Sequence, residues 1–198
     1  MSIQTWQETI AAQSAAGTAF GTFTTAKTVI LPTALISLPP NYLYAGKLLR
    51  VKVRGAMGTL VTTPGTCVFQ VMLGAVIAWT SGNIQLNATA HTALPFSLDI
   101  DLRVDTVGNG TTAKLLGMGT LSGVMFTKTI AATDLWGRVS AADAAVSDVS
   151  LQVPATAPAV GTGFDSTIAT VVDFFAGFSV SNAANTVQIY NYYVEALN

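Results

Sequence analysis

Charge is scarce in this chain of 198 residues. Only 10% of the residues are Asp, Glu, Lys or Arg, whereas 51% are hydrophobic. Soluble domains typically carry about 25% charged residues. Because the formal net charge is only −1, little repulsion keeps copies apart, and low net charge favours association. We therefore expect partners to cover much of the surface; the alternative is a soluble monomer coated in Thr, Ser, Asn and Gly.

The residue types that usually perform catalysis or bind metals are also rare. Cys67 is the single cysteine and His91 the single histidine, so neither an intrachain disulfide nor a zinc site of paired Cys and His can form. Cys67 alternates with Phe69 and Val71, which predicts a buried thiol. No nucleophile motif surrounds Cys67 or His91, and we expect His91 to lie in a loop. The sequence thus predicts no enzymatic activity, cofactor or metal.

Long apolar runs are missing as well. The longest, "VMLGAVIAW" at residues 71–79, is about half of the roughly 20 residues that a bilayer helix needs. The opening "MSIQTWQETIAAQ" lacks the basic start and continuous apolar stretch of a signal peptide. We therefore expect neither a membrane-spanning helix nor a secretory leader.

The beginning of the chain shows helical spacing. Ser2 is an N-cap residue, and Ile3, Trp6 and Ile10 lie three and four positions apart, which predicts a short helix over residues 3–12. The following stretch is too poor in large apolar side chains to form its own core, since Phe20 and Phe23 are the only ones among small and polar residues.

We therefore predict two units: an extended N-terminal arm over residues 1–25 and a β-sandwich domain over residues 26–198. The arm is expected to dock on a partner. The side chains predicted to make that contact are its large apolar ones: Ile3, Trp6, Ile10, Phe20 and Phe23.

From Lys27 onward the apolar residues follow a period of two, which is typical of β-strands. Short runs of this kind, separated by Pro, Gly and Asn, predict eight or more strands and almost no helix. The fold class is therefore all-β, with a two-sheet antiparallel sandwich or a barrel as the architecture. One or two helical turns are predicted after Ser140, three residues before Asp143.

The stretch "PFSLDIDLRVDTVGNGTTAKLLGMGTLSG" gives the clearest pattern. Its first half alternates apolar residues with Asp and Arg from Phe96 to Asp105. Asn109-Gly110 follows, the dipeptide that best accepts the mirror-image turn of a β-hairpin. The sequence predicts a hairpin here.

Basic residues cluster in "GKLLRVKVRG", where strand alternation places Arg50, Lys52 and Arg54 on one face. A nucleic-acid site would add a basic overall balance or aromatic stacking platforms, and neither accompanies these residues. We interpret the face as solvated or partner-facing. The anions of the long hairpin offer a complementary contact between subunits.

Those anions have a second interpretation. Asp99 and Asp101 lie two positions apart on one strand face, about 7 Å at the backbone, close to the separation of paired glycosidase acids. Such a pair usually needs one acid in an apolar setting. A solvated or interface face, with Arg103 as partner, is favoured over a hydrolase.

The last two predicted strands, "IATVVDFFAGFSVS" and "NTVQIYNYYVEAL", are rich in aromatic residues. Alternation places Phe174 and Phe178 on one face and Phe175 on the other. One face should pack in the core and the other against a second subunit or under the long loops. Tyr190 and Tyr192 are predicted to share one side and to contact a partner.

Several segments between residues 35 and 124 resemble a group of tailed-bacteriophage structural proteins. The segments that carry the resemblance are "LPPNYLYAGKLLRVKVRG", "TTPGT", "TSGNIQLNATAHT" and "LDIDLRVDTVGNGTTAKLLGMG". These are strand and turn motifs without catalytic chemistry.

The resemblance implies a virion component with a jelly-roll sandwich of the tumour-necrosis-factor-like type. It implies decoration of the outer capsid surface as a trimer, bound to the major capsid protein, with no nucleic acid, membrane or cofactor. The alternative is a tail-fibre or baseplate head domain that recognises a host surface glycan.

Overall fold

The computed structural model describes residues 7–60, 63, 65–126, 150–154 and 161–197. These residues form β-strands and one short 3-10 helix, Pro32–Ala34. The strands are β1 (Gln7–Ala12), β2 (Phe20–Gly21), β3 (Lys27–Thr28), β4 (Ile36–Leu38), β5 (Leu48–Thr59), β6 (Thr66–Leu73), β7 (Val76–Thr80), β8 (Ile84–Gln85), β9 (His91–Thr106), β10 (Lys114–Gly123), β11 (Ser150–Val153), β12 (Thr170–Phe178) and β13 (Thr186–Leu197). Within this described part, no helix is long and apolar enough to cross a membrane.

The strands build two sheets. The seven-stranded sheet has the order β1-β13-β5-β9-β10-β11, with β2 also paired to β13. The six-stranded sheet has the order β3-β12-β6-β7, with β4 on β12 and β8 on β6. Every pairing is antiparallel. The predicted all-β, two-sheet antiparallel sandwich is therefore confirmed.

The strand order is compatible with the predicted jelly roll. Four strands of one sheet run β1-β13-β5-β9 and four of the other run β3-β12-β6-β7. The first and last strands of the chain are therefore neighbours, and the chain crosses repeatedly between sheets. Strands β10 and β11 extend the first sheet beyond β9.

Period-two alternation decides which side chains enter the core. In β5 the residues Leu49, Val51 and Val53 are at most 1% exposed, while the basic residues between them are only half-buried. Strand β9 repeats the pattern, with Leu98 and Ile100 fully buried. Cys67 lies in this core too, as predicted.

Aromatic rings join the two sheets at the centre of the sandwich. Phe69 and Phe174 come from the six-stranded sheet, and Phe96 and Tyr192 from the other. The ring of Phe69 lies 5.5 Å from that of Phe96 and 5.9 Å from that of Phe174, and Phe174 lies 6.1 Å from Tyr192. Gly55 makes room for this packing, since a Cβ there would come within 2.8 Å of the Phe96 ring.

The predicted hairpin is present as β9 and β10, paired from Phe96↔Gly123 to Thr106↔Lys114. Its turn differs from the expected two-residue form, because Gly110 has a φ of 63° whereas Asn109 is not in the left-handed region. A second loop holds the turn: Asp165 accepts hydrogen bonds from the Gly110 N–H (2.9 Å) and the Thr167 hydroxyl (2.6 Å). The Asn109-Gly110 dipeptide therefore located the turn correctly, but the hydrogen bond to the Asp165 carboxylate holds its conformation.

The predicted helix over residues 3–12 is wrong for residues 7–12, which form strand β1. A helix of this length is marginal on its own, whereas the edge of β13 offers unpaired main-chain groups. Pairing continues past β1: the Gln13 N–H donates to Tyr192 O, and the Gly17 N–H donates to Ile189 O. Residues 7–21, here called the edge segment, thus follow β13 along its length and end at β2.

We predict that the aromatic core tolerates loss of one hydroxyl but not loss of a ring. Phe174→Ala should lower the free energy of unfolding by about 3–5 kcal/mol, because it opens a cavity between the sheets. Tyr192→Phe should change it by no more than about 1 kcal/mol, since the buried Tyr192 hydroxyl has no hydrogen-bond partner among the described residues. Urea unfolding curves check both values, and a loss above about 2 kcal/mol for Tyr192→Phe would contradict the assignment.

Candidate interaction surfaces

The outward face of strands β13, β5 and β9 is an ordered array of charges, here called the charged face. It contains the basic side chains of Arg50, Lys52, Arg54 and Arg103 and the acidic side chains of Asp99, Asp101, Asp105 and Glu195. Strand register aligns opposite charges, since Arg50 lies between Glu195 and Asp101, and Lys52 lies opposite Asp99.

The cations and anions that were predicted to meet between subunits pair within one chain. Arg50 Nε lies 2.7 Å from an Asp101 carboxylate oxygen, and Arg54 contacts both oxygens of Asp99 at 2.8 and 3.0 Å. These complementary charges meet within one sheet because β5 and β9 are neighbours; a contact of this face with a partner stays a prediction. Hydrogen bonding to Asp101 and Asp99 raises the pKa of Arg50 and Arg54, respectively.

The same ion pairs determine the surroundings of Asp99 and Asp101, the two aspartates considered above as glycosidase acids. Asp99 and Asp101 face solvent, each bonded to an arginine. Both line an open depression of about 380 Å³ that also contains Leu116 and Met118. Each carboxylate is nevertheless about half exposed and ion-paired, whereas an acid catalyst needs a carboxyl group kept protonated by an apolar setting. Among the residues described, no three His, Cys, Asp or Glu side chains are grouped closely enough to hold a metal ion.

Two members of the charged face are less completely matched. The Lys52 ammonium lies 5.6 Å from the centre of the Tyr193 ring, a cation–π distance. Glu195 is only 7% exposed, and its Oε2 has no hydrogen-bond partner in the described part of the chain. Its register partner on β5, Arg50, carries the opposite charge.

Tyr190 and Tyr192 do not share a side, contrary to the prediction. The register of β13 against β5 shifts between Ile189 and Asn191, so an extra residue interrupts the alternation at Tyr190. Such a bulge redirects the side chains that follow it. Tyr192 is fully buried, whereas Tyr190 is 48% exposed, so only Tyr190 can meet a partner at the surface.

His91 begins β9 rather than lying in a loop. Its Nε2 lies 2.7 Å from Asn87 Oδ1, and partial burial lowers its pKa. The side chain lines a depression of about 230 Å³ together with Thr186 and Gln188. Gln188 accepts a hydrogen bond from the Tyr190 hydroxyl at 3.1 Å, which places an exposed aromatic residue beside this depression.

The outward side of the six-stranded sheet has the opposite character. Its apolar side chains, here called the apolar face, are Val68, Met72, Ile77, Val171 and Phe175. Ile77 and Val171 are each 39% exposed. Phe175 alternates with the buried Phe174 and Ala176, as predicted. The other members were missed, although both faces of "CVFQVML" are visibly apolar in the sequence.

One charged residue interrupts the apolar face. In strands β4, β6, β7 and β12, all of them described, Asp173 is the single charged side chain. Its Oδ1 accepts hydrogen bonds from the Thr28 hydroxyl at 2.7 Å and from the Phe174 N–H at 2.6 Å. Desolvation nevertheless raises its pKa, so the carboxylate is less stable here than in water.

The predicted contact residues of the arm divide into three groups. Ile3 and Trp6 lie outside the described residues. Ile10 and Phe20 are half-buried against the chain's own core. Phe23 is buried and lies 5.6 Å from the Phe178 ring. The described part of the arm therefore packs on its own sandwich.

Comparisons with known proteins gave a structural alignment of this chain with a solved structure. No protein-family model and no curated protein matches the chain. A solved structure, the CBM2 module of the evolved Dit of Lactobacillus casei BL23 phage J-1, aligns over 99% of this chain and 98% of its own, at 11% identity. The TM-score is 0.36, a value that does not establish a common fold. The sandwich assignment rests on the strand pairing.

We predict that the charged face contributes little to stability. Arg54→Ala should lower the free energy of unfolding by about 1 kcal/mol or less, because Arg54 and Asp99 are both partly solvated. The loss should shrink in about 1 M salt, which screens the pair. Arg103→Ala is the matched control, since its contact with Asp105 is long at 3.5 Å, and it should stay within about 0.5 kcal/mol of the unmodified chain. A larger loss for Arg103→Ala than for Arg54→Ala in urea titrations would contradict this ranking.

A further prediction concerns pH. Because the folded-state pKa of Asp173 is raised, its contribution to stability falls as pH rises from the unfolded-state pKa through the folded-state value. Asp173→Asn, which keeps an acceptor for Thr28 and Phe174, should therefore stabilise the protein at pH 7. This gain should diminish as pH is lowered through the pKa of Asp173 in urea titrations.

Asp165→Asn is the control of opposite sign. Hydrogen bonds from Thr167 and Gly110 lower the pKa of Asp165, so its stabilising contribution is present above the unfolded-state pKa and is lost as pH falls through the folded-state value. Asp165→Asn should destabilise the protein at pH 7 and matter less in acid. The same sign for both variants at pH 7 would contradict the opposite pKa directions of the two carboxyl groups.

Proposed function

We propose that this protein is a structural component of a tailed-bacteriophage particle, which decorates the outer capsid surface and stabilises the shell through protein–protein contacts. In this proposal it assembles as a trimer and binds the major capsid protein. The observation that carries the proposal is the apolar face, which includes Ile77 and Val171 at 39% exposure and has one charged residue, Asp173, in strands β4, β6, β7 and β12.

The contrast between the two sheet faces supports the choice of surface. On the charged face, opposite charges lie side by side, and two arginines are already bonded to aspartates. Those groups are compatible with water and gain little from a partner. The apolar face has no such pairing, so burying it against another protein removes hydrocarbon from water, which is favourable by about 25 cal/mol per Å².

The sequence supports a structural role in a phage particle. The strand and turn segments between residues 35 and 124 that resemble tailed-phage structural proteins coincide with β4–β10, the central part of the sandwich. The scarcity of charge fits a chain whose surface is covered in an assembly. These features favour a particle component over a free monomer.

A second candidate function is a receptor-binding head of a tail fibre or baseplate that recognises a host glycan. The exposed Tyr190 favours it, because its hydroxyl donates a hydrogen bond to Gln188, which lines the depression together with His91. Aromatic rings with adjacent hydrogen-bonding groups are the usual elements of a sugar site. Trp79 is buried and offers no platform.

We predict that charges on the apolar face prevent assembly. Val171→Glu and Ile77→Glu should each reduce occupancy on capsids at least about tenfold while the isolated protein stays folded, since both side chains are already partly exposed. Met118→Glu is the matched control, because Met118 is 50% exposed on the opposite sheet, and it should bind normally. Capsid co-sedimentation with stained-gel quantification measures the effect, and full occupancy of both apolar-face variants would refute the proposal.

Copy number separates the two candidate functions. Quantitative mass spectrometry of purified particles should give hundreds of copies per particle for a capsid decoration protein. A few to a dozen copies, combined with binding to isolated cell-wall polysaccharide that Tyr190→Ala abolishes, would instead establish the receptor-binding head.

A further inference from the structure

We propose that the edge segment, residues 7–21, exchanges between copies of this chain, so that β13 of one subunit is paired by the edge segment of a neighbour. The inference concerns the seven-stranded sheet. It depends neither on the apolar face nor on the phage assignment. Its partner is a second copy of the same sequence.

The edge segment is held mainly by its main chain. Strand β1 pairs with β13 from Gln7↔Leu197 to Ala12↔Tyr193, with an irregularity at Ile10. Beyond it, Gln13 and Gly17 donate main-chain hydrogen bonds to β13, and β2 pairs Phe20 with Val187. An identical segment from another copy can form every one of these bonds, because they do not depend on which chain supplies the donor.

Polar side chains add three hydrogen bonds to the edge segment. The Gln13 amide donates to Ile189 O at 2.9 Å and accepts from the Leu31 N–H at 3.2 Å, and the Gln188 amide donates to Gly17 O at 2.7 Å. A neighbour's segment can form these bonds as well, because each joins the segment to groups of the body.

Apolar side chains anchor the edge segment weakly. Of the six residues of β1, Ala11 alone is buried, and Ile10 is half-buried. Phe20 is also only half-buried. Release of the segment therefore exposes little hydrocarbon, whereas the body keeps its core. Phe23 marks the start of that body, because its ring is buried against Phe178.

A strained residue lies between the segment and the body. Thr22 has a φ of 59°, which is the left-handed region that β-branched residues rarely adopt. It separates Gly21, the last residue of β2, from the buried Phe23. A different φ at this one position redirects the whole segment, and the change relieves strain. Thr22 is thus placed as a hinge for exchange.

The concentration of the protein determines whether the edge segment pairs with β13 of its own chain or with β13 of a neighbour. In a dilute solution the segment's own β13 is the nearest acceptor, because the connection is short. In a crowded assembly a neighbour's β13 competes at high local concentration. Exchange keeps the β13 edge paired in both states, so β13 does not present unpaired main-chain groups to other chains.

Cysteine pairs test the exchange directly. Ala12 and Tyr193 are partners across β1 and β13, and both have some exposure. Ala12→Cys chains and Tyr193→Cys chains should be mixed in equal amounts at high concentration, incubated and oxidised. We expect a covalent dimer containing one chain of each kind, identified by peptide mass mapping. Cys67 does not compete, since it is buried.

The matched control uses Ser97 and Ser122, partners in the β9–β10 hairpin of the body. A mixture of Ser97→Cys and Ser122→Cys chains should give almost no mixed disulfide. The proposal is overturned if the Ala12/Tyr193 mixture gives no mixed dimer at any concentration. It is equally overturned if the control mixture gives as much, because the cross-link would then report collision or unfolding.

Two substitutions at Thr22 are expected to change the yield of mixed disulfide in opposite directions and so test whether Thr22 is the hinge. Thr22→Gly accepts the observed φ without strain and should lower the yield of mixed disulfide at least about twofold. Thr22→Pro fixes φ near about −65°, opposes the closed arrangement and should raise the yield. Circular dichroism confirms that each variant retains the sandwich. Equal yields from both variants would refute a hinge at Thr22.

Discussion

The contact on which the sandwich depends is the stacking of aromatic rings between its sheets. Phe69 packs on Phe96 of the opposite sheet and on Phe174 of its own, and Phe174 in turn packs on Tyr192. Once these rings face inward, period-two alternation fixes the direction of the neighbouring side chains wherever no bulge interrupts the strand. The charged face and the apolar face are therefore both consequences of the same core.

The outward faces of the two sheets differ in how well their side chains are suited to contact with water. The seven-stranded sheet matches its charges within one chain, because β5 lies between β13 and β9. Arg50 and Arg54 on this face are already bonded to Asp101 and Asp99 of the same chain. The six-stranded sheet presents Val171 and Ile77 beside a carboxylate, Asp173, whose pKa is raised by desolvation. That asymmetry, rather than any single residue, is what favours association through the second sheet.

Sequence patterns predicted the parts of the fold that depend on local information. Alternation identified the core side of β5 and β9, and Asn109-Gly110 located the hairpin. Errors arose where distant segments decide the outcome. Pairing with the edge of β13 made residues 7–12 a strand instead of the predicted helix. Alternation also did not reveal the pair of Arg54 and Asp99, because it does not show which strands are neighbours. Alternation also gives no sign of the bulge that separates Tyr190 from Tyr192, because a bulge changes the pairing and not the residue types.

Exchange of the edge segment and burial of the apolar face use opposite sheets, so they do not compete for the same surface. The β13 edge belongs to the seven-stranded sheet, and Val171 and Ile77 project from the six-stranded one. A subunit can therefore engage one neighbour by strand pairing and another by hydrocarbon burial. Main-chain pairing fixes the register of the first contact, because a slip by one residue would turn Ala11 outward and Ala12 inward. Hydrophobic burial supplies free energy without imposing a register. Together the two proposed contacts would give an assembly both a defined geometry and cohesion, which neither surface would provide alone.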